Sequence, residues 1–239
     1  MQTLPALALV CFFLSGSAAV ADNAYPYTQS YVILINGETV GSETVIEKKG
    51  GSGEIISNSE HEILLSDGAN LSRLAFTTQM VLPKGSLTPE TYVYQYKTDG
   101  PKDSYELFIK DGQVKRVLNR NGIANEVSVP WRPNMVLIEN TVYYQYEYLL
   151  RRYDMKKKGR QSFAGFIPVI GNDIPITVTL LNNGNVRTDK DKKDAETRNF
   201  RLDISGMQSL TISVDKNGRL VKAENPARHL SVIRKDMLP

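Results

Sequence analysis

Residues 140–160 read NTVYYQYEYLLRRYDMKKKGR: five of the chain's 12 tyrosines, then a run of positive charge. Whether this stretch is a strand or a helix decides between a plain β-meander and a sheet laid around a helix. As a strand, Val142, Tyr144, Tyr146 and Tyr148 share one face. As a helix, Glu139, Val142, Tyr143, Tyr146, Leu149, Leu150 and Tyr153 share one face at i, i+3, i+4, i+7 spacing. The run from Val136 to Asp154 is long for a strand, and the Leu149-Leu150 pair breaks strict alternation. The spacing therefore predicts one helix over 136–154. Arg151, Arg152, Lys156, Lys157 and Lys158 crowd its end, where the helix dipole favours cations. Gly159 supplies a stop.

Outward from that helix the chain reads as strands. Tyr31–Ile35 ends at Asn36-Gly37, Thr39–Lys48 at Gly50-Gly51, and Glu54–Leu65 at Asp67-Gly68. Leu71–Leu82, Thr91–Lys97, Tyr105–Ile109 and Val114–Leu118 follow, each closed by a turn signal such as Asp99-Gly100, Asp111-Gly112 or Asn121-Gly122. Asn-Gly and Asp-Gly between alternating runs mark tight hairpins, because a type I′ turn needs positive φ at both central residues. The pattern changes after Pro130-Trp131-Arg132-Pro133. Beyond the helix, residues 161–181, Asn199–Ile204, Leu210–Val214, Leu220–Ala223 and Leu230–Ile233 resume as strands. Arg187–Arg198, almost wholly charged, reads as a solvated loop or hairpin tip. The expected architecture is one β-rich domain over 22–239, an antiparallel meander of about a dozen strands with the helix packed on it.

Residues 4–14, LPALALVCFFL, precede the small residues Ala19-Val20-Ala21. This is the layout of a secretory signal cleaved after Ala21, too short for a membrane span. Cleavage leaves residues 22–239 without cysteine, hence without a disulfide, thiol nucleophile or thiolate metal site. An exported chain of this kind is expected in the periplasm. The formal charge is +3, from 29 basic and 26 acidic residues. That balance does not suggest nucleic acid, for which a basic stripe is expected.

Catalytic signals are weak. The two histidines, His61 and His229, carry no HExxH pattern, and His61 sits on an alternating run in SEHEI, so its neighbours point to the opposite face. There is no GxSxG elbow, P-loop or GxGxxG motif. The carboxylate pairs Glu60/Glu62, Asp189/Asp191 and Asp203/Asp215 read as solubilising. The expectation is a non-enzyme with no cofactor, no metal and no catalytic residue.

Tyr92, Tyr94 and Tyr96 lie at period two and share one strand face. Buried tyrosines need partners for their hydroxyls. The face is either an ordinary core edge or, together with the helix tyrosines, the lining of a cavity suited to an acyl chain or a sugar. The basic cluster is either a solvated helix end or a docking point for anionic headgroups, each cation near such a surface being worth about 1 kcal/mol.

A signal peptide, a long meander, one helix late in the chain and closing strands resemble the half-barrel fold of the LolA/LolB-like periplasmic lipoprotein carriers, and exported bacterial families of unknown function with that layout. YVILINGETVGSETV (31–45) resembles their opening hairpin, and VDKNGRLVKAENPARHLSVIRKD (214–236) their closing strands. The resemblance implies a curved antiparallel sheet, an open or half barrel, whose concave face takes a lipid or other amphiphile. Tyr92, Tyr94, Tyr96, Val142, Tyr146 and Leu149 are then the expected lining, with Arg151, Arg152, Lys156 and Lys157 toward headgroups. An anionic membrane surface or an envelope protein is the further expected partner. Two alternatives stand beside this reading: an envelope scaffold or assembly partner with a filled core, and a hydrolase of envelope glycans or esters acting through His61.

Overall fold

The computed structural model describes residues 25–66, 71–97, 104–187 and 194–238. The expected signal sequence over 1–21 and the expected turns at Asp67-Gly68 and Asp99-Gly100 lie outside them.

Among the described residues fifteen strands form one sheet. The first eight are β1 (Tyr27–Ile35), β2 (Glu38–Lys49), β3 (Ile55–Ser66), β4 (Leu71–Leu82), β5 (Thr91–Tyr96), β6 (Ser104–Lys110), β7 (Gln113–Arg120) and β8 (Ile123–Pro130). They pair antiparallel in chain order. Asn36 and Gly37 join β1 to β2 with φ of 53° and 82°, as a type I′ turn requires. Then come β9 (Met135–Leu137), α1 (Gln145–Arg151), β10 (Arg160–Ile167), β11 (Asn172–Arg187), β12 (Asp194–Ile204), β13 (Gln208–Asp215), β14 (Leu220–Asn225) and β15 (Leu230–Arg234). This second run also pairs in chain order, and β15 closes onto β1, Tyr31 opposite Arg234 and Ile35 opposite Leu230. The sheet thus runs from β8 through β1 and β15 to β9, with the middle of the chain at both edges. One pairing departs from the expected antiparallel pattern: β9 runs parallel to β10. The hairpin of β11 and β12 stays in register as far as Arg187 opposite Asp194, so the charged segment is a hairpin arm; residues 188–193 at its tip lie outside the description.

The sheet curls but does not close. Its two edges are bridged by side chains. Arg116 on β7 donates to the carbonyls of Pro168 (2.9 Å) and Val169 (3.4 Å), and Arg132 pairs with Asp173. The Trp131 and Phe166 rings meet edge to face at 6.3 Å. β8 remains exposed on both faces except at Val129.

The helix is shorter than the spacing predicts. Residues 136 and 137 belong to β9, 140–144 form turns, and α1 occupies Gln145–Arg151. Val136 and Leu137 extend β10 in parallel pairing, and backbone hydrogen bonds of that ladder take precedence over helical periodicity. Even so, Ile138–Tyr153 acts as one unit. It runs through the concave side of the sheet, and Val142, Tyr143, Tyr144, Tyr146, Leu149 and Leu150 are all buried. We call it the plug. One wall around it is polar and aromatic: Glu43, Val45 and Glu47 from β2, Ser57, Ser59, His61 and Ile63 from β3, Phe76 and Thr78 from β4, Tyr92 and Tyr94 from β5. The opposite wall is aliphatic, with Val178, Leu202, Ile212, Val214, Leu220 and Val232.

Candidate functional site

A seven-residue helix is too short to persist alone in water. Its stability comes from its surroundings, and here these centre on four buried carboxylates, Glu43 and Glu47 of the sheet and Glu139 and Glu147 of the plug itself. Tyr144, the residue before α1, makes no side-chain capping bond. The free N–H groups of Tyr143 and Tyr144 instead donate to Glu43 Oε2 and Oε1, each at 3.0 Å. A carboxylate from a strand a hundred residues away thus caps the helix, where the dipole favours an acceptor. Burial pushes the Glu43 carboxyl up to about 8, against the pull of those two backbone bonds.

The second anchor centres on Arg219, in the turn between β13 and β14. Its guanidinium lies 3.0 Å from Glu147 Oε2 of α1 and 2.7 Å from Glu47 Oε2 of β2, the latter an ion pair outside hydrogen-bonding alignment. It also stacks over the Tyr27 ring at 4.0 Å. Glu147 further accepts from Tyr31 O–H (3.1 Å) and Leu220 N–H (2.8 Å). Tyr148 O–H donates to Glu47. Burial raises Glu147 while Arg219 and Arg151 pull it back.

At the start of the plug, Glu139 accepts from Tyr105 O–H and from Asn140 N–H (3.2 Å), and its own N–H donates to Gln145 Oε1 at 2.8 Å. Burial lifts its carboxyl to about 7. Buried charges without partners are costly, so each of these groups is paired or protonated.

The expected site residues fall in two groups. Tyr92, Tyr94, Val142, Tyr146 and Leu149 are brought together in the interior, each at most 4% exposed. Tyr96 shares their face, half-buried, its ring edge-on to Tyr94 at 5.0 Å. The first five belong to one buried hydrophobic cluster formed by plug and sheet, with Tyr96 packed against it. The basic cluster divides. Arg151 turns toward Glu147 (3.4 Å), and Arg152 donates to the Met135 carbonyl (3.0 Å) and Thr88 Oγ1 (2.7 Å), so both fasten the plug. Lys156 and Lys157 remain exposed.

His61 is buried. It stacks on Phe76 at 4.2 Å, and the stack continues through Tyr94 to Tyr105. Its Nε2 lies 2.6 Å from Ser59 Oγ, which is 2.6 Å from Thr78 Oγ1. Burial drives His61 down to about 3, so it is neutral at physiological pH. His229 is exposed, at φ of 50°. Among the described residues no group of three or more His, Cys, Asp or Glu side chains is placed to hold a metal, and no helix is long and apolar enough to cross a membrane.

Sequence reasoning missed Glu43, Glu47, Glu139, Glu147 and Arg219 as an interacting set. One signal was present: Val45 reads as an inward residue of its strand, and at period two Glu43 and Glu47 share its face. Two grooves lie on the surface. One, of about 520 Å³, lies on the outer face of β3–β6, and one, of about 380 Å³, lies between the β12–β13 turn and Pro226–Arg228.

The fold is that of an open, barrel-like β protein. The chain is similar in structure to a beta-barrel-like protein of a domain of unknown function, DUF1849, from Brucella abortus: TM-score 0.59 and 11% identity, over 87% of this chain and 94% of that one. At that identity the likeness extends to the fold alone. No family model matches the chain, and no curated protein does.

Proposed function

We propose that this chain is an exported, non-catalytic protein of the bacterial envelope that acts through its outer surface, as a binding or assembly partner with a filled core. The carrying observation is the plug: residues 138–153 occupy the concave side on which an amphiphile would lie, and four buried carboxylates hold them there. To take an acyl chain, the protein would have to part Glu43 from the Tyr143 and Tyr144 amides and Glu147 from Arg219 together, leaving polar groups and charge unpaired in the interior. The position of His61 speaks against the hydrolase reading: its side chain is 3% exposed and rests against Phe76 and Ser59, without a carboxylate bonded to it.

Native mass spectrometry of the mature protein, purified from its own envelope without detergent, tests this. The expected result is the bare polypeptide mass. A discrete added mass that disappears on organic extraction would establish the amphiphile reading in its place.

A further inference from the structure

The outer face of β3–β6 carries a groove with a largely neutral, hydrogen-bonding lining. Strand register sets its side chains in rows running across the strands. One row is Thr44, Glu60, Thr77, Gln95, Ser104 and Asn119, each opposite the next. The adjacent row is Ile46, Asn58, Gln79, Val93 and Glu106. Neutral hydrogen-bonding groups dominate. Ion pairs flank these rows, Arg73 with Glu62 on the same face, as they do on the outer face of the other half, Arg201 with Asp203 and Lys222 with Glu224. The 520 Å³ groove lies along these two rows, lined by Asn58, Glu60, Thr77, Gln79, Gln95 and Glu106 among others.

Within it some polar groups are already engaged: Gln79 donates to Asn58 at 2.9 Å, and Lys97 pairs with Glu60 at 3.0 Å. Thr77, Gln95 and Glu106 make no side-chain bond to any other described residue, and Gln95 and Glu106 are exposed. Phe108 stands two residues from Glu106 on the same strand face, 43% exposed. Planar amides, hydroxyls and a free carboxylate beside an exposed aromatic ring form a surface that offers both donors and acceptors to hydroxyl-rich ligands and a flat apolar face to their C–H groups. The spacing fits as well. Neighbouring rungs of a row are one strand apart, roughly 4.8 Å, which is close to the advance per sugar of an extended β-linked glycan.

We propose that this groove binds a β-linked glycan strand lying across β3–β6, each sugar meeting one rung of the Thr77–Gln95 row and the Gln79–Glu106 row. Phe108 forms the apolar platform at one rim. The proposal rests on the reading that the protein works through its outer surface, and it gives that surface a ligand class.

Isothermal titration of the mature protein with chitohexaose and with cellohexaose tests it. At least one should bind saturably. The double variant Gln95→Ala/Glu106→Ala, which removes two hydrogen-bonding groups, should weaken that binding by about tenfold or more, with an unchanged melting temperature. Arg201→Ala on the opposite outer face should bind as the parent does. If the double variant melts lower, Gln79→Ala reads the same groove through one exposed side chain. Failure of both sugars to bind, or binding that survives the groove substitutions, overturns the glycan site. Either failure leaves the filled-core reading standing, since that reading falls only to an extractable mass on the native protein.

Discussion

Glu43 shows how a single side chain couples the plug to pH. Both its oxygens accept backbone N–H groups of the plug, and burial holds its carboxyl near 8 against an ordinary value of 4.5. Between those two values the folded protein keeps a proton that the unfolded chain has lost. Its contribution is therefore complete below about pH 4.5, falls as pH rises, and levels off above about 8, at about 1.4 kcal/mol for each unit of difference. Glu139, lifted to about 7, acts with the same sign. Asp154 and Asp203 are shifted the other way, downward by their hydrogen bonds, and act in acid, outside this window. His61, lowered by burial to about 3, opposes one of the two carboxyls up to its ordinary value of 6.5, so the fall is shallower there than above it. Urea unfolding should accordingly give decreasing stability from pH 5 to pH 9. At pH 5 the protonated Glu43 meets the two N–H groups with a carbonyl and a hydroxyl oxygen, whereas the NH2 of Glu43→Gln cannot accept, so the substitution should cost about 1–3 kcal/mol at pH 5 and flatten the slope. Equal slopes in the two proteins, or stability that rises with pH, would remove Glu43 from this role. Only part of this was legible in the sequence. Alternation placed Glu43 and Glu47 on the face of Val45, but Thr44 and Ile46 make the opposite face equally plausible as the buried one. What decides is the plug on one side of the sheet, a long-range fact.

Elements were more legible than residues, for a physical reason that also marks the exceptions. Leu71–Leu82 was read to the residue, because it is buried on one face and bounded by turn chemistry. β8 escaped notice because it is exposed on both faces except at Val129, and Asn125 interrupts the apolar alternation of Ile123, Val127 and Val129. β9 has three residues, all buried, too few to show a period. The helix was legible in kind but not in extent, since its first residues are claimed by pairing with β10. As an edge strand, β8 makes a prediction that depends only on register. Trp131 N–H donates to the Gly112 carbonyl at 2.9 Å, continuing the ladder by one rung beyond Gln113 opposite Pro130. Hydrogen-bonded pairs alternate along an antiparallel ladder, so the residues bonded to β7 are Ile123, Asn125, Val127 and Val129. The amides of Ala124, Glu126 and Ser128 point away from it. Hydrogen exchange followed by NMR should find the amides of Asn125, Val127 and Val129 protected and those of Ala124, Glu126 and Ser128 fast. Uniform protection along β8 would mean that its edge is covered, and the same alternation one residue out of phase would mean that the register is wrong.

At the scale of the molecule, the strand order is a simple meander cut in an unusual place. Read from β9, each strand is followed in space by its successor in sequence up to β15, then by β1, and then by β2 to β8. The contact between β15 and β1 is the sheet's most non-local pairing, and it ties the first described strand to the last. Such pairings are slow to form, because the loop-closure entropy is lost before any contact compensates. β1 begins and β15 ends at the same end of the sheet, so a short flexible linker between them, with new termini between Arg132 and Pro133, makes every neighbouring pair of strands sequential. The new ends fall where Arg132, Pro133 and Asn134 are exposed, the kind of site that tolerates opening. The plug stays between β9 and β10, and all of its carboxylate anchors are retained. This permuted chain should show the parent's near-ultraviolet circular dichroism. It should refold faster by stopped-flow fluorescence, since the longest closure has become a hairpin. A small loss of stability is expected at the seam, where Arg132 holds Asp173 from the freed end. A permuted chain that folds no faster would mean that another step, such as docking of the plug, limits folding. One that stays unfolded would mean that β1 and β15 are not neighbours, and the single continuous sheet would fail with it.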